Sequence, residues 1–110
     1  MQLRNLTPHA ITVRLADGAT LTVEPEPEPA RCKEERELAG TLSVDGREIP
    51  IWRLCLGEVH GLPEPQDGTI LIVSRVVAEA ARDRIDLLIP GPGLRDQAGR
   101  IVACDGLSRL

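Results

Sequence analysis

Three places in this 110-residue chain gather residue types that could do chemistry at close spacing. The first is Asn5-Leu6-Thr7-Pro8-His9, where the only asparagine, a hydroxyl, a rigid proline and an imidazole fall within one short stretch. Asn and Thr in such a setting either bond nearby backbone or lend directional hydrogen bonds to a ligand. The second is Ser74-Arg75, where an apolar run gives way to a helical pattern. A serine there caps the helix, and the free N–H groups behind it suit an anion. The third is Arg82-Asp83-Arg84-Ile85-Asp86, with Arg95-Asp96 beyond a Pro-Gly loop. Its guanidiniums either pair with the aspartates or present bidentate forks to phosphate or carboxylate. Asn5, Thr7, His9, Ser74, Arg75, Arg84 and Arg95 are therefore the candidate ligand contacts.

The motifs of common catalytic sites are missing. There is no G-x-x-x-x-G-K, no G-x-G-x-x-G before a helix, and no G-x-S-x-G around Ser43 or Ser74. A small hydrolase built on His9 or His60 would need a nucleophile and an orienting group beside the imidazole, and no spacing in the chain announces them. Cys32, Cys55 and Cys104 are scattered and never form a C-x-x-C pair, so they read as reduced core thiols. No two Cys or His have metal-ligand spacing. The expectation is a protein without catalytic residues, metal or cofactor.

Composition narrows the partners. Trp52 is the only aromatic residue, which disfavours base stacking on single-stranded nucleic acid and cages for quaternary ammonium groups. The formal net charge of -4 disfavours duplex DNA. No apolar run approaches the roughly 20 residues of a membrane span, and Met1-Gln2-Leu3-Arg4 leads into polar Asn5 rather than a signal-peptide core. A cytoplasmic protein without membrane contact is expected.

The elements that must position these residues follow from alternation and turn chemistry. Ile11, Val13 and Leu15 alternate with polar residues, as do Ala19, Leu21 and Val23. Only a three-residue loop, Ala16-Asp17-Gly18, places the two apolar faces together, with Gly18 left-handed. Asp45-Gly46 requires the opposite: a two-residue loop pairs Leu42 with Ile49 and Gly40 with Ile51, sets Pro50 opposite Thr41, and puts Trp52 on the other face. Between these hairpins Glu24 to Pro29 alternates acid and proline as an exposed, stiff connector, and Arg31 to Leu38 reads as extended. Ile70 to Val73, without alternation, predicts a central strand buried on both faces. Ser74 opens a helix to about Arg82, with Arg75 and Glu79 at pairing distance. Asp86 to Ile89 is a further strand, and Leu94-Arg95 pairs with Arg100 to Cys104 through Gln97-Ala98-Gly99. The expected fold is α+β in one domain over residues 1–110: a mostly antiparallel sheet built from hairpins, with one short helix after a central buried strand.

Asn5-Leu6-Thr7-Pro8-His9, Gly61-Leu62-Pro63, Ile72-Val73-Ser74 with Val77-Ala78, Arg84-x-Asp86, Pro90 and Arg95-Asp96 before Gly99 resemble a group of small proteins encoded by phages and prophages. The resemblance covers nearly the whole chain and implies a context rather than an activity: accessory or counter-defence factors that bind a host protein or sequester a nucleotide signal. Two functions are expected on these grounds. One is non-enzymatic binding and sequestration of a small anionic ligand of nucleotide type. The other is inhibition of a host protein by docking through the edge near Pro50 and the acidic proline strip. A chain this short has little room for a deep pocket, so a homo-oligomer, a dimer by the base rate of closed symmetry, is expected, with Trp52 at least partly buried between subunits or under the proline strip.

Overall fold

In chain order the elements are β1 (Gln2–Asn5), β2 (Ile11–Arg14), β3 (Thr20–Val23), β4 (Arg31–Val44), β5 (Arg47–His60), β6 (Thr69–Ile72), α1 (Arg75–Ala80), β7 (Leu87–Pro90), β8 (Gly93–Arg95), β9 (Ile101–Asp105) and β10 (Leu107–Ser108). The computed structural model describes all residues from 1 to 110. No helix is long and apolar enough to cross a membrane.

The apolar run read as central becomes β6, with Leu71 and Ile72 buried and Val73 buried just beyond it. It lies between β1 and β7 and runs parallel to both, while β10 closes the sheet antiparallel to β7. Parallel neighbours need a crossover, and α1 supplies the one between β6 and β7. Val77 and Ala78 from α1 join Leu6, Ala30, Leu71, Val73, Leu87 and Ile89 in the core. The second sheet, in the order β3-β2-β9-β8, joins two hairpins through a parallel β2–β9 pair. The architecture is thus strand-rich with mixed sheets and one short helix. The mostly antiparallel expectation is met in part: β2–β3, β4–β5, β7–β10 and β8–β9 are antiparallel, whereas β1–β6, β6–β7 and β2–β9 are parallel. Turn chemistry announces neighbours joined by hairpins and leaves such long-range partners unmarked.

Both parity arguments hold. Ile11 faces Val23, Val13 faces Leu21, the Leu15 N–H donates to the Ala19 carbonyl at 2.7 Å, and Gly18 has φ +88. At the second turn Leu42 faces Ile49, Gly40 faces Ile51 and Thr41 faces Pro50, with Asp45 and Gly46 at φ 50 and 76 as a type I′ turn requires. Arg31 to Leu38 is strand, and the last hairpin turns at Gly99 with φ +83.

Four expectations need correction. The helix stops at Ala80 rather than Arg82, because the chain turns at once to deliver Leu87 into β7, with the Arg84 N–H bonding the Ala81 carbonyl at 3.0 Å. The proline strip is not wholly exposed. Alternation with glutamate leaves donors between the prolines, so the Glu26 N–H bonds the Asn5 carbonyl at 2.8 Å, the Glu26 carboxylate takes the Arg4 Nε at 2.6 Å, and Pro25 is half-buried. Of the three free thiols only Cys104 is buried; Cys55 is exposed because β5 leaves the core. Trp52, 47% exposed, lies on β5 opposite Leu38 with the Arg36 guanidinium 5.0 Å from its ring, and not under the proline strip.

The departing β4–β5 ribbon sets the shape. Extents of 57 × 40 × 23 Å and a radius of gyration of 17.7 Å exceed the roughly 13 Å of a compact domain this long.

Candidate functional site

Asn5 ends β1, where pairing with Ile72 carries it into the interior. Its side chain is saturated there. Nδ2 donates to the His9 carbonyl at 2.8 Å and to the Val23 carbonyl at 3.0 Å, while Oδ1 accepts from the Thr7 N–H at 2.9 Å and the Thr7 hydroxyl at 2.6 Å. The Thr7 hydroxyl lies 3.0 Å from the His9 carbonyl. This cluster pins β1, the entry to β2 and the end of β3 together. His9 enters it through its carbonyl, and its exposed imidazole has no hydrogen bond within the chain.

The next turn of backbone places Ser74 nearby, since the Leu6 N–H bonds the Ile72 carbonyl at 2.8 Å. Ser74 caps α1 as expected, with the Val77 N–H 3.4 Å from its hydroxyl, and Arg75 pairs with Glu79 at 3.0 Å. Beside Ser74 a recess of about 410 Å³ opens between Pro8, Pro29, Ala30, Arg31, Cys32, Glu34 and Val76. That volume falls within the range of small-molecule sites, roughly 300 to 1,000 Å³. The recess lies beyond the C-terminal ends of parallel β1 and β6, where open sheets commonly hold ligands. Every buried side-chain nitrogen and oxygen already has a partner. The polar groups offered to a ligand are therefore surface ones: Ser74, Glu34 and Arg31, whose guanidinium makes no hydrogen bond or ion pair in the chain.

The other two candidate arginines stand elsewhere. Arg84 sends Nε and Nη2 to the Asp86 carboxylate at 2.9 and 2.7 Å, and Nη2 also to the Pro63 carbonyl at 2.9 Å. These bonds hold the Asp86 carboxyl below its usual range, against the opposing effect of desolvation, and raise Arg84 further. The pair ties the approach to β6 to the start of β7. Arg95 donates to the Gly99 carbonyl at 2.6 Å and so braces its own hairpin. The structure thus brings Asn5, Thr7 and Ser74 to one end of the sheet and leaves Arg84 and Arg95 outside. Arg31 was missed from sequence, because nothing local ties it to a serine that the fold brings alongside. No three His, Cys, Asp or Glu side chains gather as a metal site would require.

Comparison of the chain with protein-family models, curated proteins and solved structures gave no match.

Proposed function

We propose that this chain is a non-enzymatic binding protein that holds a small anionic ligand of nucleotide type in the recess beside Ser74, in the manner of a phage accessory factor that removes a signal from solution. The carrying observation is that Arg31, whose guanidinium has no partner within the chain, and Ser74 line the same recess of ligand size. Arg31 would supply a bidentate fork to phosphate, and Ser74 a directional bond. With no aromatic residue on the wall, the remainder of the ligand would rest on Pro8, Pro29, Ala30 and Val76. Asn5 and Thr7 act one layer behind, holding Pro8 in place, and Arg84 and Arg95 do not take part.

Calorimetry of the whole chain against inorganic phosphate and a panel of cyclic and linear nucleotides tests this reading. At least one nucleotide should bind, and Arg31→Ala should weaken it by roughly 10- to 100-fold, the value of a charge-assisted hydrogen bond. Absence of heat from every member at about 100 μM protein, where weak association is still visible, would refute it.

A further inference from the structure

The β4–β5 ribbon makes a demand that its own chain leaves unmet. Its base packs on the core through Cys32 and Val59, but from Lys33 outward every residue except Gly40 and Gly57 is exposed. A two-stranded ribbon with nothing against it is marginal in water. Yet this one carries Leu38, Leu42, Val44, Ile49, Ile51, Trp52, Leu54 and Leu56, each 42 to 71% exposed. Eight such side chains leave on the order of 700 Å² of apolar surface bare, close to the roughly 800 Å² that one partner gives to a standard interface.

Register decides how this surface is laid out. The irregularity between Leu38 and Gly40 divides the ribbon into two apolar patches. Towards the tip, the pairs 44/47, 42/49 and 40/51 share one face; past the irregularity, the pairs 38/52, 36/54 and 34/56 lie on the other. Each patch spans three pairs. Laid antiparallel, tip patch on inner patch, the Arg47 end of one meets the Glu34 end of the other. Neither Arg47 nor Glu34 has an ion pair within its own chain.

We propose that the β4–β5 ribbon clasps a second copy of this chain, the tip patch of each copy covering the inner patch of the other. A two-fold axis satisfies both contacts at once. The ribbon's charges also favour a second copy over a strongly charged foreign protein, since residues 31 to 60 hold five basic and six acidic side chains. Glu34 also stands on the wall of the recess, so the clasp brings Arg47 of the second copy to its rim.

Light scattering on the full chain between about 1 and 100 μM, with Trp52 emission followed in parallel, provides the test. The expected mass is twice the 11.9 kDa of one chain, with emission shifting to the red on dilution. Arg47→Glu and Glu34→Arg should each weaken association by at least about tenfold, and the double variant should recover it to within a few-fold, because the two charges are exchanged across the contact. A single-chain mass throughout, or a dimer unmoved by either charge reversal, overturns the clasp. Phosphate and nucleotide binding are read in a separate measurement, so that result leaves the ligand reading standing or falling on its own data.

Discussion

Asn5→Ala should cost this fold about 3–7 kcal/mol. The side chain is 1% exposed and makes four hydrogen bonds. Truncation strands the Thr7 N–H outright and takes a donor from the Val23 carbonyl, whereas the Thr7 hydroxyl and the His9 carbonyl keep each other. Each stranded buried group costs about 1–3 kcal/mol, and the lost packing adds about one more. With about 4–8 °C lost per kcal/mol in a domain of this size, melting should fall by at least about 12 °C. Asn5→Asp sharpens the argument. It preserves shape and the acceptor for Thr7, but turns the donor into an oxygen facing the His9 and Val23 carbonyls at 2.8 and 3.0 Å. A carboxyl there has its folded-state pKa raised above the unfolded value of about 3.9. Its penalty is full above the folded value and fades as pH falls towards the unfolded one. Asn5→Asp should therefore be less stable than Asn5→Ala at pH 7 and regain stability on acidification, which Asn5→Ala does not. Urea titrations of the three proteins at pH 7 and pH 4.5 read both effects. An Asn5→Ala variant within about 1 kcal/mol of wild type, or an Asn5→Asp variant of wild-type stability at pH 7, would show that the cluster does not hold the strands together.

Asp86→Asn should lower stability at pH 7 by about 2–4 kcal/mol, because Arg84, with a side chain only 18% exposed, loses its bidentate carboxylate. Since Asp86 titrates below its unfolded value, the pair's contribution is present above about pH 4 and lost as pH falls through the folded value, so the variant should show a shallower acid limb in urea titrations from pH 7 to 2. Gly91→Ala should prevent folding or cost several kcal/mol, since a Cβ there meets the Asp105 and Gly106 carbonyls, while Gly68→Ala, open but at φ +75, should cost about 1 kcal/mol by thermal melting. Arg14→Ala should move the urea midpoint by less than the equivalent of about 1 kcal/mol, since the Arg14–Asp105 pair is nearly half exposed on both sides; a larger shift would mean that the pair anchors the parallel β2–β9 contact.

Local periodicity determined much of this protein. Side chains alternate strictly along a strand, so the apolar residues around Asp17-Gly18 and Asp45-Gly46 admitted one loop length each, and both registers are the observed ones. The unbroken aliphatic run marked β6 as interior, and a serine at its end marked the helix start, because burial and capping act over a few residues. The tertiary structure alone decided the parallel pairs, the irregularity beyond Leu38 that moves the apolar stripe from one face of the ribbon to the other, and the placing of Arg31 and Ser74 on one recess. Residues that meet across the fold carry no mark of each other: the entropy of closing the intervening loop changes only slowly with its length, and the contacts that repay it are spread over many side chains. Asn5 combines both cases. Its position before Thr7 signalled a local hydrogen-bonded turn, but only the arrival of β3 at Val23 filled its last bond and turned a candidate ligand contact into a strut of the fold.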